Sequence, residues 1–442
     1  MKREATILAL VTAVVLALTA VPAHADAASG AAWLSTQQQA DGGFEVAGFA
    51  GFETADATLA IAEAAQTGAG WDAAAARSAV AAVTTDAGRT PYDALDDEAE
   101  AGPTAGGAAK LIAQVAAPGG WSDGLSPVAF DPAQDGRAVD LVATMNAGLD
   151  AGTGLYGTFG DTLSAVLAHE QLCTDIPDVT VSALLAASAP SGGWNFAGDP
   201  TDDLFDPDIT GRALQALAAA GVAKDDGAVA AGLRRLAREH DATSGGWIAF
   251  GEPNPNSTAM GALGLDAYGI DTATRAWRDE LAPERAADAY VAPEDYLLDQ
   301  QQPDGRIASP SDSFGVNTFA TSQGVQALAR RWTWTATDGC PDLSAPAPPT
   351  SSTTLPSTTT VPPTTVAPTT TVPAAAPSAT PTAVRAASVQ GAARVAGTST
   401  TATTLATTGS SSWGIALLAG MLLLAGVIAV RASARMAPDR RP

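Results

Sequence analysis

Between residue 42 and residue 334 one phrase recurs: a Gly-Gly-aromatic step, a polar loop, then a Thr with a small residue three places on that opens an Ala/Leu-rich helix. A repeat of this length constrains the architecture before any single residue is interpreted. The clearest copies are Gly42 to Phe44 leading to Thr54, Gly192 to Trp194 leading to Thr210, and Gly245 to Trp247 leading to Thr258. Weaker ones are Gly154 to Gly157 before Thr162 and Asp304 to Arg306 before Thr321, while Thr104 opens a matching helix with no such step ahead of it. The six openers lie at intervals of 50, 58, 48, 48 and 63 residues.

Each copy predicts two helices. The one before the Gly-Gly step, as in 31–39 or 229–240, is polar on one face and apolar on the other. The one after it, as in 54–68, 104–117, 210–221 and 258–269, carries only one or two charges and reads as buried on all sides. Six buried helices and six amphipathic ones predict an all-α fold, an α6/α6 double ring over residues 26–343. Gly-Gly supplies the sharp turn, and Asp56, Asp161 and Asp208 suit the positive ends of their helices.

The ends of the chain read as address rather than fold. Residues 1–25 have the layout of a signal peptide, with Lys2 and Arg3, an apolar run and Ala23-His24-Ala25 as the cleavage site. Residues 344–404 are rich in Thr, Pro, Ser and Ala and predict a disordered stalk. Residues 405–442 hold Leu405-Ala406-Thr407-Thr408-Gly409, an apolar segment from Trp413 to Val430 that suits a transmembrane helix, and an Arg-rich end. This layout resembles a sortase sorting signal in its LAxTG form. The resemblance implies sortase as a partner, cleavage between Thr408 and Gly409, covalent attachment to peptidoglycan and a place on the cell surface.

A net charge of −24 with three Lys in the whole chain argues against nucleic acid as a partner. In an exported chain Cys173 and Cys340 are expected to pair; the rival reading is a metal site, since His169 and Cys173 share a helix face.

The repeat pattern resembles the prenyltransferase and squalene-cyclase superfamily of α/α toroids. Trp33-Leu34 with Gln38 and Gly43, and Tyr296-Leu297 with Gln301 and Gly305, match its QW-type motif. Asp206-Pro207-Asp208-Ile209-Thr210-Gly211 is similar to the DxDDTA box of its class II terpene cyclases, which implies Asp208 as general acid beside Asp206. Ile209 and Gly211 depart from that box, and an Asp at a helix start is otherwise a charged cap. A cyclase also needs an aromatic-lined cavity, whereas the buried helices here are mainly Ala and Leu. The Zn²⁺ ligands and basic clusters of protein prenyltransferases are not found, and the β-rich half that closes the site of cobalamin carriers is missing.

Two further expectations concern ligands. Loop aromatics Phe49, Phe52, Tyr92, Phe159, Phe196, Phe250 and Phe314 would form a platform for a small apolar or glycan ligand if they converge, while Trp194 and Trp247 read as structural wedges. Asp202, Asp203 and Asp206, in a loop crowded with carboxylates, suit Ca²⁺, the one candidate cofactor. The combined expectation is a wall-anchored binding or surface-interaction module without catalytic activity. A cyclase-type enzyme using Asp208 and a structural spacer are the alternatives.

Overall fold

The computed structural model describes residues 26–44, 53–68, 70–120, 125–249, 251–310 and 318–330. The segments expected to be a signal peptide, a stalk and a sorting signal, with Cys340, Phe49, Phe52, Phe250 and Phe314, lie outside the described residues. No helix among the described residues is long and apolar enough to cross a membrane.

The described chain is mostly helical. Its helices are α1 (Ala27–Ser35), α2 (Thr54–Ala64), α3 (Ala73–Ala81), α4 (Pro91–Glu100), α5 (Ala105–Leu111), α6 (Leu141–Ala147), α7 (Phe159–Gln171), α8 (Asp178–Ala186), α9 (Pro207–Ala219), α10 (Gly227–Glu239), α11 (Pro255–Asp266), α12 (Ala276–Leu281), α13 (Pro293–Gln300) and α14 (Thr318–Ala329). A π-helical stretch, Ile112–Ala116, and a short turn, Ala117–Gly119, extend α5. Among the described residues the strands form one hairpin, β1 (Trp247–Ala249) against β2 (Glu252–Asn254), antiparallel with Trp247 opposite Asn254.

The helix after each opener is buried. α2 packs on the π stretch of α5, α5 on α7, α7 on α9, α9 on α11, α11 on α14, and α14 returns to α2. The order of contacts therefore closes on itself. The amphipathic helices α1, α8 and α13 each pack on the buried helix of their own copy, α10 packs on α9, the buried helix of the copy before it, and α4 packs on α2.

The recurring phrase has a common structural cause. The opener's hydroxyl accepts the backbone N–H of the residue two places after a positive-φ Gly: Phe44 to Thr54 at 3.1 Å, Tyr156 to Thr162 at 3.0 Å, Trp194 to Thr210 at 2.9 Å, Trp247 to Thr258 at 3.1 Å and Ile307 to Thr321 at 3.0 Å. Each bond satisfies a buried amide, which left unpaired would cost about 1–3 kcal/mol. The second Gly leaves room for this hydroxyl, since a Cβ on Gly43, Gly193 or Gly246 would stand 2.8–3.0 Å from it.

The first Gly of a copy meets the next copy. It has positive φ, and a Cβ there would strike a backbone carbonyl at or near the start of the next outer helix: Gly42 against Thr90, Gly154 against Val179, Gly192 against Ala231 and Gly245 against Ala292. Gly305, in the last copy, meets Ser29 in the first. The Gln of the QW-type motif repeats the lesson. Gln38 donates to Gly42 O at 2.9 Å and Arg89 O at 3.3 Å, while Gln301 donates to Gly305 O at 2.9 Å and Asp26 O at 3.0 Å.

Two local expectations change. Thr162, Thr210, Thr258 and Thr321 stand three places inside their helices, because Thr158, Asp206 and Asn254 take the N-cap of the first three and Pro207 and Pro255 prepay the first turn of two. Only Thr104 acts as a cap, accepting the Gly107 N–H at 3.1 Å. The buried helices are also not apolar all round, as the next section describes.

Candidate functional site

The few polar residues on the buried helices meet one another. Asp56, on α2, pairs with Lys110 Nζ at 2.5 Å and accepts from Gln114 Nε2 at 2.9 Å, with both members of the ion pair at most 5% exposed. Gln326 Nε2, on α14, donates to Asp56 O at 3.1 Å. Arg212 Nη2, on α9, donates to Ser164 Oγ on α7 at 3.2 Å. Burial lowers the Arg212 pKa, and Asp56 is the charge that offsets this. Asn256, on α11, donates to Gln323 on α14 at 3.1 Å. Along the sequence these helices read as mainly Ala and Leu. One charge per helix looks negligible along the sequence, but inside a closed cycle those charges share one small volume.

The start of α9 has the most unusual chemistry. Asp206 is the N-cap, its Oδ1 accepting the N–H of Asp208 at 3.0 Å and of Ile209 at 3.1 Å. Asp208 itself is half-buried. Burial, then the Asp206 carboxyl, push its pKa up to about 7, while Ser257 on α11 draws it down. By strict geometry neither Asp208 Oδ1 nor Ser257 Oγ completes a hydrogen bond. Burial raises Asp206 too, against the pull of the two amides it caps. The charged cap expected at Asp208 is thus a carboxyl poised to be neutral near neutral pH, because Asp206 already holds the cap and its charge lies next door.

That assignment has a sign. The folded chain holds Asp208 above its ordinary 3.8, so its contribution to stability is complete below about pH 4 and is lost as pH rises through 7. Between pH 4 and pH 8 the urea midpoint of the native chain is expected to fall more than that of Asp208→Asn. Parallel profiles would show that Asp208 ionises freely.

The departures from the DxDDTA box have packing causes. A Cβ on Gly211 would stand 2.1 Å from Met260 O, where α9 and α11 press together. Ile209 packs against the hydrophobic core.

The remaining expected residues scatter. Asp202 Oδ1 takes the Leu204 N–H at 3.0 Å, Asp203 Oδ1 bonds the Ser191 hydroxyl, and Asp206 caps α9. Each carboxylate serves its own neighbourhood, so the calcium loop expected there does not assemble. Tyr92 and Phe159 are not presented as a platform. Each lies at a helix start and is buried, at 8% and 5% exposure, because the helix ends abut neighbouring copies. Phe196 is half-buried. Trp194 and Trp247 are fully buried, donating to Leu184 O at 2.8 Å and Leu236 O at 2.9 Å, and Trp194 wedges against Gly232 of the next copy.

His169 is held by Tyr156 Oη at 2.8 Å and Thr174 Oγ1 at 2.7 Å, which occupies both ring nitrogens. Cys173 is disulfide-bonded, which removes it as a metal thiolate. The sequence showed only His169 and Cys173 on one face; the partners come from other turns of chain.

Two surface clefts lie elsewhere. One of about 520 Å³ is lined by Ala28, Ile61 and Ala79 among others, and one of about 470 Å³ by Glu170, Asp178 and Ala219, at the far end of α9. Both are open, and neither is lined by Asp208. No model of a known protein family matches this chain, and no curated protein matches it.

Proposed function

We propose that the chain is an exported, cell-wall-anchored α/α toroid that binds a small polar ligand, of the glycan class, in its interior at the start of α9. The closed order of helix contacts supports the toroid, and the LAxTG tail with its stalk and basic end supports the anchoring. The observation that carries the binding reading is Asp208, half-buried at the start of α9 with a raised pKa, whose Oδ1 faces Ser257 Oγ without completing a hydrogen bond of good geometry. An enclosed polar atom without a partner is costly unless a ligand or water completes its bonds. A neutral Asp208 both donates and accepts, as a hydroxyl-rich ligand requires.

A second reading, acid catalysis of the terpene-cyclase type, is favoured by one observation: the raised pKa of Asp208 beside Asp206. The lining speaks against it. A carbocation must be held by unreactive aromatic faces, whereas Lys110, Gln114, Ser164 and Gln323 offer nucleophilic or basic atoms on the same helices.

The test is native mass spectrometry of the full chain after titration with soluble peptidoglycan fragments and plain oligosaccharides, beside the variants Asp208→Ala and Ser257→Ala. The expected result is a saturable complex that each variant weakens about tenfold, the worth of one good hydrogen bond. Equal binding by all three chains would remove this site from consideration. Conversion of squalene by the native chain but not by Asp208→Asn would replace the binding reading with the acid one.

A further inference from the structure

Away from that interior, four carboxylates converge where α4 meets the loop before α6. Asp96 and Glu100 stand one turn apart on α4, and Asp131 and Asp135 lie on a loop whose neck is closed by the antiparallel bridge between Phe130 and Val139. Asp96, Asp131 and Asp135 each place an oxygen within 4.8 Å of the others. Asp131 is oriented by the N–H groups of Asp135 and Gly136, both at 2.9 Å, and the left-handed backbone at Gln134 and Gly136 folds the loop back on itself.

Proximity of acids alone means little, but Asp96 adds a separate observation. It is 2% exposed, and its Oδ1 has no hydrogen-bond partner. Glu100 Oε1 is likewise buried without one. A carboxylate taken out of water needs bonds or a countercharge. The cation at hand is Arg137, which pairs with Glu100 at 2.5 Å and with Asp135. One guanidinium against four carboxylates leaves a net of three negative charges, and although the Ala133 N–H bonds the Asp96 carboxyl, its Oδ1 is left without a partner.

We propose that Asp96, Asp131 and Asp135, with Glu100 at the edge, form a binding site for a divalent cation of the calcium class. The donors are all carboxylate oxygens, which select hard cations over Zn²⁺ or Cu²⁺. They come from a helix and an irregular loop, a setting that suits the adaptable coordination of Ca²⁺ better than the strict octahedron of Mg²⁺. The ion would tie α4 to the loop and so brace the second copy, the one without a Gly-Gly-aromatic step.

The full chain, stripped with EGTA, is titrated with CaCl₂ and separately with MgCl₂ by calorimetry, and its melting temperature is followed at constant ionic strength. The expected result is one saturable Ca²⁺ site with a rise in Tm, and binding of Mg²⁺ about tenfold weaker or less. Asp135→Asn, an exposed loop change, is expected to weaken Ca²⁺ about tenfold. Asp96→Asn is expected to raise the Tm of the stripped chain by relieving repulsion and to abolish the Ca²⁺ shift, a pattern that misfolding does not produce. Asp202→Asn is expected to leave Ca²⁺ binding unchanged. No saturable heat with the native chain, an equal response to Mg²⁺, or a Ca²⁺ shift retained by both Asp96→Asn and Asp135→Asn would overturn the assignment.

Discussion

Replacing Gly305 by Ala is expected to destabilise the fold by about 2–5 kcal/mol, because it pries the last copy from the first. The new Cβ would lie 2.1 Å from Ser29 O and 2.7 Å from Ser29 C, neither of which is the end of a flexible side chain. Its φ of +99° adds the left-handed penalty of about 1–2 kcal/mol, and overpacking adds about 1–3 kcal/mol. Gly88→Ala separates the two contributions. Gly88 has φ +79° with nothing within 4 Å of a new Cβ, so it should cost about 1–2 kcal/mol, the conformational part alone. The measurement is the urea midpoint of each chain. Equal losses at Gly305 and Gly88 would mean that closure contributes nothing, and the contact between the ends of the cycle would be incidental.

Lys110→Met is expected to cost about 3–5 kcal/mol, since it leaves the Asp56 carboxylate buried against a thioether. Asp56 would keep its bond from Gln114 and the distant charge of Arg212, neither of which neutralises it at contact. The double variant Asp56→Leu with Lys110→Met should recover most of that loss, because apolar pairs often replace buried ion pairs at little cost. A double-mutant cycle in denaturant gives the coupling directly. A single variant as stable as the native chain would mean that water reaches Asp56, contrary to its 2% exposure.

How legible these features were depends on the range of the interaction. The Gly-Gly-aromatic step and its Thr were readable because the bond from Trp194 N–H to Thr210 spans sixteen residues and recurs with the same chemistry in each copy. The QW-type Gln38 and Gln301 were readable for the same reason. The exact helix starts were not, since Pro207 with Asp206 and Pro255 with Asn254 extend α9 and α11 backwards past the opener. The calcium loop was sought among Asp202, Asp203 and Asp206, where carboxylates crowd along the sequence. The group that the structure gathers combines Asp131 and Asp135 with Asp96, thirty-five residues earlier. Nothing along the sequence points from the DPAQDG stretch at Asp131 back to Asp96. Asp208 was discounted because Ile209 breaks the cyclase box, whereas its proton affinity depends on Asp206 and on enclosure by α11.

What the sequence by itself determined is the set of local, repeated decisions: where the chain turns and which helix of each pair is buried. These follow from backbone conformation, helical periodicity and composition, which act within one copy. Only the tertiary structure decided that Asp56 meets Lys110, that Asp208 sits beside Asp206 and Ser257 without a full set of hydrogen bonds, and that Asp96 is joined by a distant loop. Those outcomes depend on how each helix is rotated about its axis against its neighbours. Coulomb and hydrogen-bond energies change over a few ångströms, far below what spacing along a chain can resolve.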